Sequence, residues 1–253
     1  HAYMAAGEEY MPMRGILSGH PNFLADVKGV PAMAAFLFPG HPEAKNWSNM
    51  FDKYVELNTR YHVRPEVKSW DADGGRWTEN LGTYVWAFLK PSLRANYLLK
   101  NHFDGVNHFA NNNMAMLGSW LVNSLSAPFE GEPLSFYNGE DGKLPNHYWG
   151  IVTKENGPRR VHPPQGAHSA RRMPSASMWL LGNELKYFDP LLSENIYFVS
   201  HPDDQETTIL DKSEDPFFHM FPEKDFDRGT PPDFNSIKLT GYGIILRAAV
   251  GTK

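Results

Sequence analysis

Residues 71–88 read DADGGRWTENLGTYVWAF, an acidic turn with two glycines followed by a run with helical periodicity. The apolar residues recur at the spacing of one face of an α-helix: Trp77, Leu81, Val85 and Phe88. Thr78 is the expected N-cap, because its hydroxyl can accept a hydrogen bond from a first-turn amide. The stretch therefore predicts a helix that buries one face and begins with an unusually polar first turn.

The same periodicity recurs in four other segments, so we expect a mainly helical protein. These segments are residues 22–37, 47–61, 114–125 and 178–188. Pro31 and Pro91 are expected to kink their helices, because proline removes a backbone hydrogen bond in a helix interior. Near the C-terminus, SIKLTGYGIILRAAV (residues 236–250) is rich in β-branched residues and glycine, which is typical of one or two strands.

The order of these segments predicts a helical domain followed by a β domain. We place part of the helical domain at residues 1–200, a linker or surface excursion at 201–236, and the start of the β domain at 237–253. Residues 128–169 form a predicted irregular region, and such long loops are often functional. One or two strands cannot form an independent sheet, so either they pair with strands elsewhere in this chain or the chain is a fragment of a longer protein. We expect the second.

The composition excludes several classes of function. The chain has 253 residues, of which 41% are apolar and 21% charged, as in folded globular proteins. Its net charge of −5 argues against general nucleic-acid binding, although a local basic cleft can still bind an acidic polymer. It contains no cysteine and no apolar run long enough to span a membrane. It also lacks nucleotide-binding glycine loops and the HExxH zinc motif, and its histidines show no metal-ligand spacing, so no metal site is predicted.

Three stretches carry side chains that can transfer protons or bind anions. The first is the polar start of the 71–88 helix, where Tyr84 is expected on the interior side, near Asn80 and Glu79. A phenol beside an amide and a carboxylate can transfer a proton. The alternative is an ordinary interior tyrosine, with Glu79 stabilising the positive N-terminal end of the helix.

The other two stretches are SGHPNFLADVKG (residues 18–29) and RRVHPPQGAHSARR (residues 159–172). In the first, Asn22 is the expected N-cap of a helix and His20 projects from the preceding loop. The alternative is ordinary capping beside a surface histidine. The second places four arginines and two histidines within fourteen residues, and such a basic patch can hold carboxylates or sulfates. Its alternative interpretation is a solvated loop.

Taken in order, these stretches resemble the heparinase II/III-like polysaccharide lyases, which include relatives that act on alginate. The resemblance depends on LFPGHPEAKNW (residues 37–47), DGGRWTENLGTYVWAF (73–88) and GYGIILRA (241–248). It implies an incomplete (α/α) toroid followed by the first strands of an antiparallel β-sandwich. Tyr84 matches the catalytic tyrosine of the family. The family usually carries an adjacent Asn-His pair, which we assign to His20 and Asn22, although a proline separates them here and their order is reversed.

The resemblance implies β-elimination on a uronic-acid polysaccharide. His20 or Asn22 would face the substrate carboxylate, and would stabilise the charge that develops when the neighbouring proton is removed. Arg76 or Arg171 would support this role. The expected substrate-binding residues are Arg76, Glu79, Asn80, His162, Arg171 and Arg172, with Glu79 in an orienting role.

The proton-transfer steps are assigned to two residues. Tyr84 would protonate the leaving glycosidic oxygen, and in syn elimination it would also act as the base. His168 is the alternative base for anti elimination. No cofactor is expected within this chain, and any metal would belong to the β-sandwich region beyond it. The implied partners are an acidic polysaccharide or oligosaccharide, together with the remainder of the same protein or a second copy, in a secreted or periplasmic location.

Two other functions stay open from the sequence. A glycoside hydrolase on a similar toroid needs two carboxylates at a defined separation, and Asp73, Glu79 and Glu184 are the candidates. A non-catalytic glycan-binding or structural toroid protein would bind an acidic glycan without turning it over. Release of unsaturated uronate products distinguishes the lyase from both alternatives.

Overall fold

The computed structural model describes residues 21–63, 77, 84–103, 105–125, 161–162, 171–172, 175–201, 216–222, 227–239 and 243–246. The α-helices in this part of the chain are α1 (Pro21–Leu37), α2 (Ala44–Asn58), α3 (Tyr84–Leu99), α4 (Asn112–Asn123), α5 (Ser175–Leu185) and α6 (Pro190–Ser200). Short strands form two antiparallel pairs, β1 (Val161–His162) with β2 (Arg171–Arg172) and β3 (Ile237–Leu239) with β4 (Gly243–Ile245). The prediction of a mainly helical protein is therefore confirmed. Within these ranges, no helix is long and apolar enough to cross a membrane.

Helix α1 forms where the sequence predicts it, but it buries a different face. The apolar stripe predicted for this segment consists of Phe23, Val27, Val30, Ala34 and Leu37. It is partly exposed, with 41% of Val30 and 63% of Leu37 accessible to solvent. The buried residues are instead mostly small: Ala25, Gly29, Ala32 and Ala35. Small side chains let α1 lie close to α3, where a Cβ atom added at Gly29 would be 3.6 Å from the Cβ of Pro91. The close approach of the α1 and α3 backbones therefore determines which face of α1 is buried.

Helices α2 and α3 are joined by aromatic side chains from their predicted stripes. The Tyr54 hydroxyl of α2 lies 3.2 Å from the Ser92 hydroxyl of α3, and the Tyr54 and Phe88 ring centroids are 6.3 Å apart. Trp77 stacks on Phe88 with 4.2 Å between centroids, so the 71–88 stretch packs against its own helix. Both α1 and α3 continue as helices through their internal prolines.

Helix α2 ends in a π-helical turn, Thr59–Val63. The Thr59 hydroxyl donates hydrogen bonds to the carbonyls of Val55 and Glu56, at 2.9 and 3.0 Å. Asn58 is fully buried just before this turn, and neither polar atom of its side chain has a hydrogen-bond partner in the described structure. Each unpaired buried polar group costs about 1–3 kcal/mol. The turn is therefore a locally destabilised part of the fold.

Helices α4 and α5 bury the stripes that the sequence predicts. The buried apolar residues of the fourth stripe are Met114, Leu117, Trp120, Leu121 and Leu125. Helix α5 buries Met178, Leu181 and Leu185, whereas Phe188, which follows the helix, is 46% exposed. The fifth predicted stripe is therefore one turn too long.

Helix α6 is absent from the periodicity prediction, although its sequence carries a start signal. The Asp189 carboxylate accepts a hydrogen bond from the Leu192 amide at 3.0 Å, and Pro190 occupies the first turn. A short connection joins α5 to α6, and the two helices pack against each other. A Cβ atom at Gly182 of α5 would lie only 2.9 Å from side-chain carbons of Ile196 and Tyr197. A glycine is required at this contact because the two helices approach so closely.

Part of the predicted linker packs against the helices. Residues Pro216–Met220 form a 3-10 turn, after which Phe221 contacts the rings of Trp179 and Tyr97, with centroids 5.1 and 5.0 Å away. Phe218 and Phe221 are both buried. The prediction of a surface excursion over residues 201–236 is therefore wrong for this segment, whose apolar side chains belong to the core.

The predicted C-terminal strands are present as a hairpin. Strand β3 pairs with β4 so that Ile237 lies opposite Ile245 and Leu239 lies opposite Gly243. The Ile237 and Ile245 side chains are partly buried against the helical core. The assignment of this hairpin to a separate β domain, and the boundaries of the domains, stay predictions.

Replacing Gly182 with alanine should destabilise the protein, whereas the same change at Gly118 should have little effect. Both glycines are helical, so each alanine gains about 1 kcal/mol of helix propensity. Overpacking at Gly182 costs about 1–3 kcal/mol. At Gly118 the nearest atoms are ends of flexible side chains, at 3.2 and 3.3 Å. Urea unfolding measures both variants, and a G182A protein at least as stable as G118A would contradict this packing.

Candidate functional site

Two of the predicted site residues have described side chains, and both lie differently from the prediction. Helix α1 begins at Pro21, so Asn22 lies inside its first turn and is 7% exposed, rather than capping the helix from outside. Tyr84 is 44% exposed at the first position of α3, rather than interior. The buried face of α3 begins with Val85 and Phe88, and Tyr84 lies beside that face. Its predicted interior orientation is therefore wrong, whereas its catalytic role stays a prediction.

The basic stretch at residues 159–172 contains a pair of short strands. His162 lies opposite Arg171 in the register of β1 and β2, and Val161 lies opposite Arg172. The backbone thus brings together three predicted substrate-binding positions, and it corrects the expectation that residues up to 169 are wholly irregular. The other predicted site residues lie outside the described part of the chain: His20, Arg76, Glu79, Asn80 and His168.

The best-connected polar group in the described structure is the buried carboxylate of Glu184. One carboxylate oxygen lies 2.7 Å from the Lys100 ammonium, and the other accepts a hydrogen bond from the Asn96 amide at 2.7 Å. The Glu184 side chain has no exposed surface. Burial raises the pKa of the Glu184 carboxyl above its ordinary value, while the charge and hydrogen bond of Lys100 and the hydrogen bond of Asn96 act in the opposite direction. The ends of α3 and α5 are therefore joined by a desolvated ion pair.

The same network extends into the loop between α3 and α4. The Asn107 amide donates to the backbone carbonyl of Glu184 at 3.0 Å, and its Oδ1 accepts from Asn96 at 3.0 Å. Asn107 Oδ1 also accepts from the backbone amide of Phe109 at 3.1 Å. Each contact satisfies a polar group in a half-buried loop, so the loop conformation is fixed from several sides.

These contacts hold His108 at its backbone and at its ring. The His108 amide donates to Asn96 Oδ1 at 3.1 Å, and its carbonyl accepts from the Asn111 side chain. Its ring Nε2 lies 2.9 Å from Asp52 Oδ1 on α2. Nδ1 has no hydrogen-bond partner among the residues that the structure describes. A carboxylate at Nε2 favours the tautomer whose Nδ1 carries a lone pair, so His108 is oriented as a general base.

The Asp52–His108 pair is open to solvent on one side. The His108 side chain is 16% exposed and that of Asp52 is 30% exposed. A substrate atom can therefore approach the imidazole, whereas it cannot approach Glu184, whose side chain is wholly buried. Glu184 is connected to His108 only indirectly, by its carboxylate through Asn96 and by its backbone carbonyl through Asn107.

Sequence reasoning missed this pair, although a signal for it was present. The stretch NHFANNN (residues 107–113) contains an adjacent Asn-His pair, the order that the family resemblance calls for. The assignment of this role to His20 and Asn22, which occur in the reversed order, stays a prediction. The partners Asn96, Asp52 and Glu184 come from separate helices, and local spacing does not indicate that they meet.

Tyr84 lies at the start of α3, whereas His108 lies in the loop after α3 and contacts the end of that helix through Asn96. Asn96, which holds His108, comes twelve residues after Tyr84, about 18 Å along the helix axis. The rings of His62 and Trp77 are 5.6 Å apart and lie near the start of α3, on the Tyr84 side. Asp52 of α2 instead contacts His108.

Comparisons with protein-family models, with curated proteins and with solved structures find no match to this chain. The described residues contain no group of three or more His, Asp or Glu side chains arranged to hold a metal ion.

Replacing Glu184 with glutamine should alter the pH dependence of stability. In the unfolded chain this carboxyl titrates near its ordinary pKa of 4.5, and in the fold it titrates higher because of burial. At pH values between the unfolded-state pKa and the higher folded-state pKa of Glu184, the folded state binds up to one more proton than the unfolded state. The free energy of unfolding therefore falls as pH rises through this window. E184Q should lack this fall. At neutral pH it should be about 1–3 kcal/mol less stable than the wild-type protein, because the NH₂ group of the glutamine faces a donor, Lys100 or Asn96, where the wild-type protein has an acceptor oxygen.

Urea unfolding across a pH series measures the effect, with Glu56→Gln on the exposed face of α2 as the matched control. Identical pH profiles for E184Q and the wild-type protein would show that the Glu184 carboxyl does not titrate as described.

Proposed function

We propose that the protein is a lyase that cleaves a uronic-acid polysaccharide by β-elimination, with His108 as the catalytic base. The observation that supports this proposal most strongly is the Asp52–His108 pair, in which the partly exposed His108 is held at its backbone and at Nε2. Removal of a proton next to a carboxylate is one of the reaction classes that need a positioned base and no protein nucleophile.

In the proposed reaction, His108 Nδ1 takes the proton from the sugar carbon that bears the carboxylate. Electrons of the broken C–H bond form the new double bond as the bond from carbon to the glycosidic oxygen breaks. The leaving oxygen takes up a proton from water, and the His108 imidazolium later returns its proton to solvent. Asp52 stabilises the imidazolium formed in this step, because its carboxylate lies 2.9 Å from Nε2. Asn96 and Asn107 keep the ring in place through the loop backbone.

The substrate carboxylate must be neutralised for the neighbouring proton to become acidic. The proposal gives this role to the basic stretch around β1 and β2, which contains His162, Arg171 and Arg172. Tyr84 contributes at a separate sugar position, because of its distance from the His108 end of α3. His20, Arg76, Glu79 and Asn80 stay proposed substrate contacts beside this basic stretch, and His108 replaces His168 as the proposed base.

The finer description of the fold is part of the same proposal. The helix pairs α1–α2 and α5–α6, each with a short connection, support an incomplete (α/α) toroid. The β3–β4 hairpin supports the start of a β-sandwich. A secreted or periplasmic location follows from the proposed polymeric substrate.

The glycoside hydrolase is less well supported. It would need a pair of carboxylates that reach the substrate. Glu184 was one of the candidates, and both its oxygens are bonded to Lys100 and Asn96 in the core. Asp73 and Glu79 lie outside the described residues.

Replacing His108 with glutamine should abolish product formation while the protein stays folded. Loss of a general base lowers the rate by about 10²–10⁴-fold. Asp52→Asn should lower it by roughly 10- to 150-fold, the rate equivalent of a charge-assisted hydrogen bond of about 1.5–3 kcal/mol. The assay is the ultraviolet absorbance of unsaturated uronate, released from alginate, heparan-like, ulvan-like and bacterial exopolysaccharide substrates.

His102→Gln is the matched control, since His102 is exposed in the turn after α3. Wild-type turnover by H108Q, combined with loss of turnover in Tyr84→Phe, would transfer the base role to Tyr84. Absence of unsaturated products from every acidic polysaccharide would reject the lyase proposal.

A further inference from the structure

Large apolar side chains are exposed where α5 is joined to α6. Tyr187 is 92% exposed, Phe188 is 46% exposed and Leu191 is 69% exposed. We call these three side chains the 187–191 surface. Single exposed apolar side chains are common on proteins, whereas adjacent ones often mark a binding surface. The 187–191 surface is therefore a candidate for binding a ligand through apolar contact.

The turn that carries this surface is fixed by the fold. The Leu185 carbonyl accepts hydrogen bonds from the Phe188 and Asp189 amides, at 2.8 and 2.9 Å. The Asp189 carboxylate then caps α6 through the Leu192 amide at 3.0 Å. A tyrosine ring on a fixed backbone has only two side-chain torsions to lose, so it binds at a low cost in conformational entropy. Tyr187 is therefore presented to solvent by a rigid support.

The 187–191 surface and the loop that carries His108 share one anchor. The Asn107 side chain donates to the Glu184 carbonyl at 3.0 Å, and Tyr187 follows Glu184 after about one turn of chain. His108 follows Asn107 directly, with about 3.8 Å between their Cα atoms. Val106, on the other side of Asn107, is 63% exposed. An exposed apolar surface therefore adjoins the candidate site.

The area of this surface indicates the size of its ligand. Val106 and the 187–191 surface together expose roughly 400–500 Å² of side chain, since a whole aromatic side chain carries about 150–250 Å². This area matches the roughly 300–600 Å² of the largest apolar patch on a typical monomer, which is often functional. It falls well below the ~800 Å² that each partner contributes to a stable protein interface. One or two sugar rings therefore fit the surface better than a second copy of this chain.

We infer that the 187–191 surface binds a sugar ring of an acidic glycan, beside the sugar unit that reacts at His108. The electron-rich face of an aromatic ring attracts the partly positive C–H groups of a pyranose, and the Tyr187 hydroxyl can hydrogen-bond to the sugar. Lys186, exposed beside Tyr187, carries the charge that attracts a uronate. The choice of an acidic glycan rests on the proposed function, whereas the stacking surface rests on the exposed rings.

Calorimetry of the full chain with an alginate-derived oligouronate tests the inference. The His108→Gln background prevents turnover during the titration, and a cello-oligosaccharide of equal length is the neutral comparison ligand. The variants are Tyr187→Ala, which removes the ring, and Tyr187→Phe, which keeps it. Phe38→Ala is the matched control, because Phe38 is 62% exposed and follows α1, which packs on α2 and α3.

Y187A should weaken oligouronate binding about five- to thirtyfold, because covering one ring face removes roughly 40–80 Å² of apolar surface from water. Y187F should bind within about twofold of the parent protein, because the ring stays. F38A should bind like the parent. The neutral oligosaccharide should bind more weakly and show the same dependence on Tyr187.

Two further measurements separate the ring contact from charge and from folding. Added salt should weaken oligouronate binding without changing the ratio between Y187A and the parent, since salt screens charges and not apolar contacts. Because Tyr187 is almost fully exposed, Y187A should unfold in urea as the parent does. A loss of binding in Y187A is then a loss of contact with the ligand.

Unchanged oligouronate binding in Y187A would overturn the inference, and so would an equal loss in F38A or an absence of binding to the parent protein. Tighter binding of the neutral oligosaccharide would overturn the uronate assignment. A dimer that Y187A abolishes, measured by sedimentation, would assign the surface to contact between copies instead. Failure of the lyase proposal gives a different pattern: no unsaturated product from the wild-type protein, with binding still sensitive to Tyr187.

Discussion

The buried carboxylate of Glu184 is the constraint on which the arrangement of the candidate site depends. A carboxylate removed from water must be paired, because leaving it uncompensated costs about 3–5 kcal/mol. Here Lys100 and Asn96 supply the compensation from the end of α3, while Glu184 itself belongs to α5. The ends of these two helices are therefore held at one relative position, although the residues are more than eighty positions apart in sequence.

The loop before α4 takes its conformation from this pair. Asn96 contacts Glu184 with its amide group and the His108 backbone with its carbonyl oxygen, and Asn107 bonds to the Glu184 backbone. Asp52 then orients the ring from α2. A histidine held in this way loses little conformational entropy when a substrate arrives, which is what a positioned base requires. The stability of this loop and the proposed role of His108 thus both depend on the amide side chains of Asn96 and Asn107.

The sequence predicts the helices better than it predicts their contacts. Apolar periodicity locates α1, α2, α4 and α5, because burial of one face is a local property of the chain. For α3 it indicates only the first turns, since the predicted stripe ends at Phe88 and the helix continues to Leu99. It selects the wrong face of α1, since Ala25, Gly29 and Ala32 are buried through close approach to α3 rather than through their own hydrophobicity. It omits α6, whose start is marked by Asp189 and Pro190 rather than by a regular stripe.

The candidate site was predictable only in part. The adjacent Asn107 and His108 are visible in the sequence, but their importance comes from partners on α2, α3 and α5. No local pattern reports such long-range hydrogen bonds. Tyr84 was singled out for its polar surroundings at a helix start, and exposure of its side chain follows from which face α3 buries. In both cases tertiary packing decides what the local sequence leaves open.

The central claim is that Glu184 fixes the loop that carries His108, and native-state hydrogen exchange of the loop amides tests it most directly. The His108 and Phe109 amides donate to side chains of Asn96 and Asn107, so they should be protected in the native protein. In Glu184→Gln, exchange at these two amides should accelerate, while amides in the middle of α1 and α2 keep their protection. Equal protection of the His108 and Phe109 amides in the two proteins would contradict the claim.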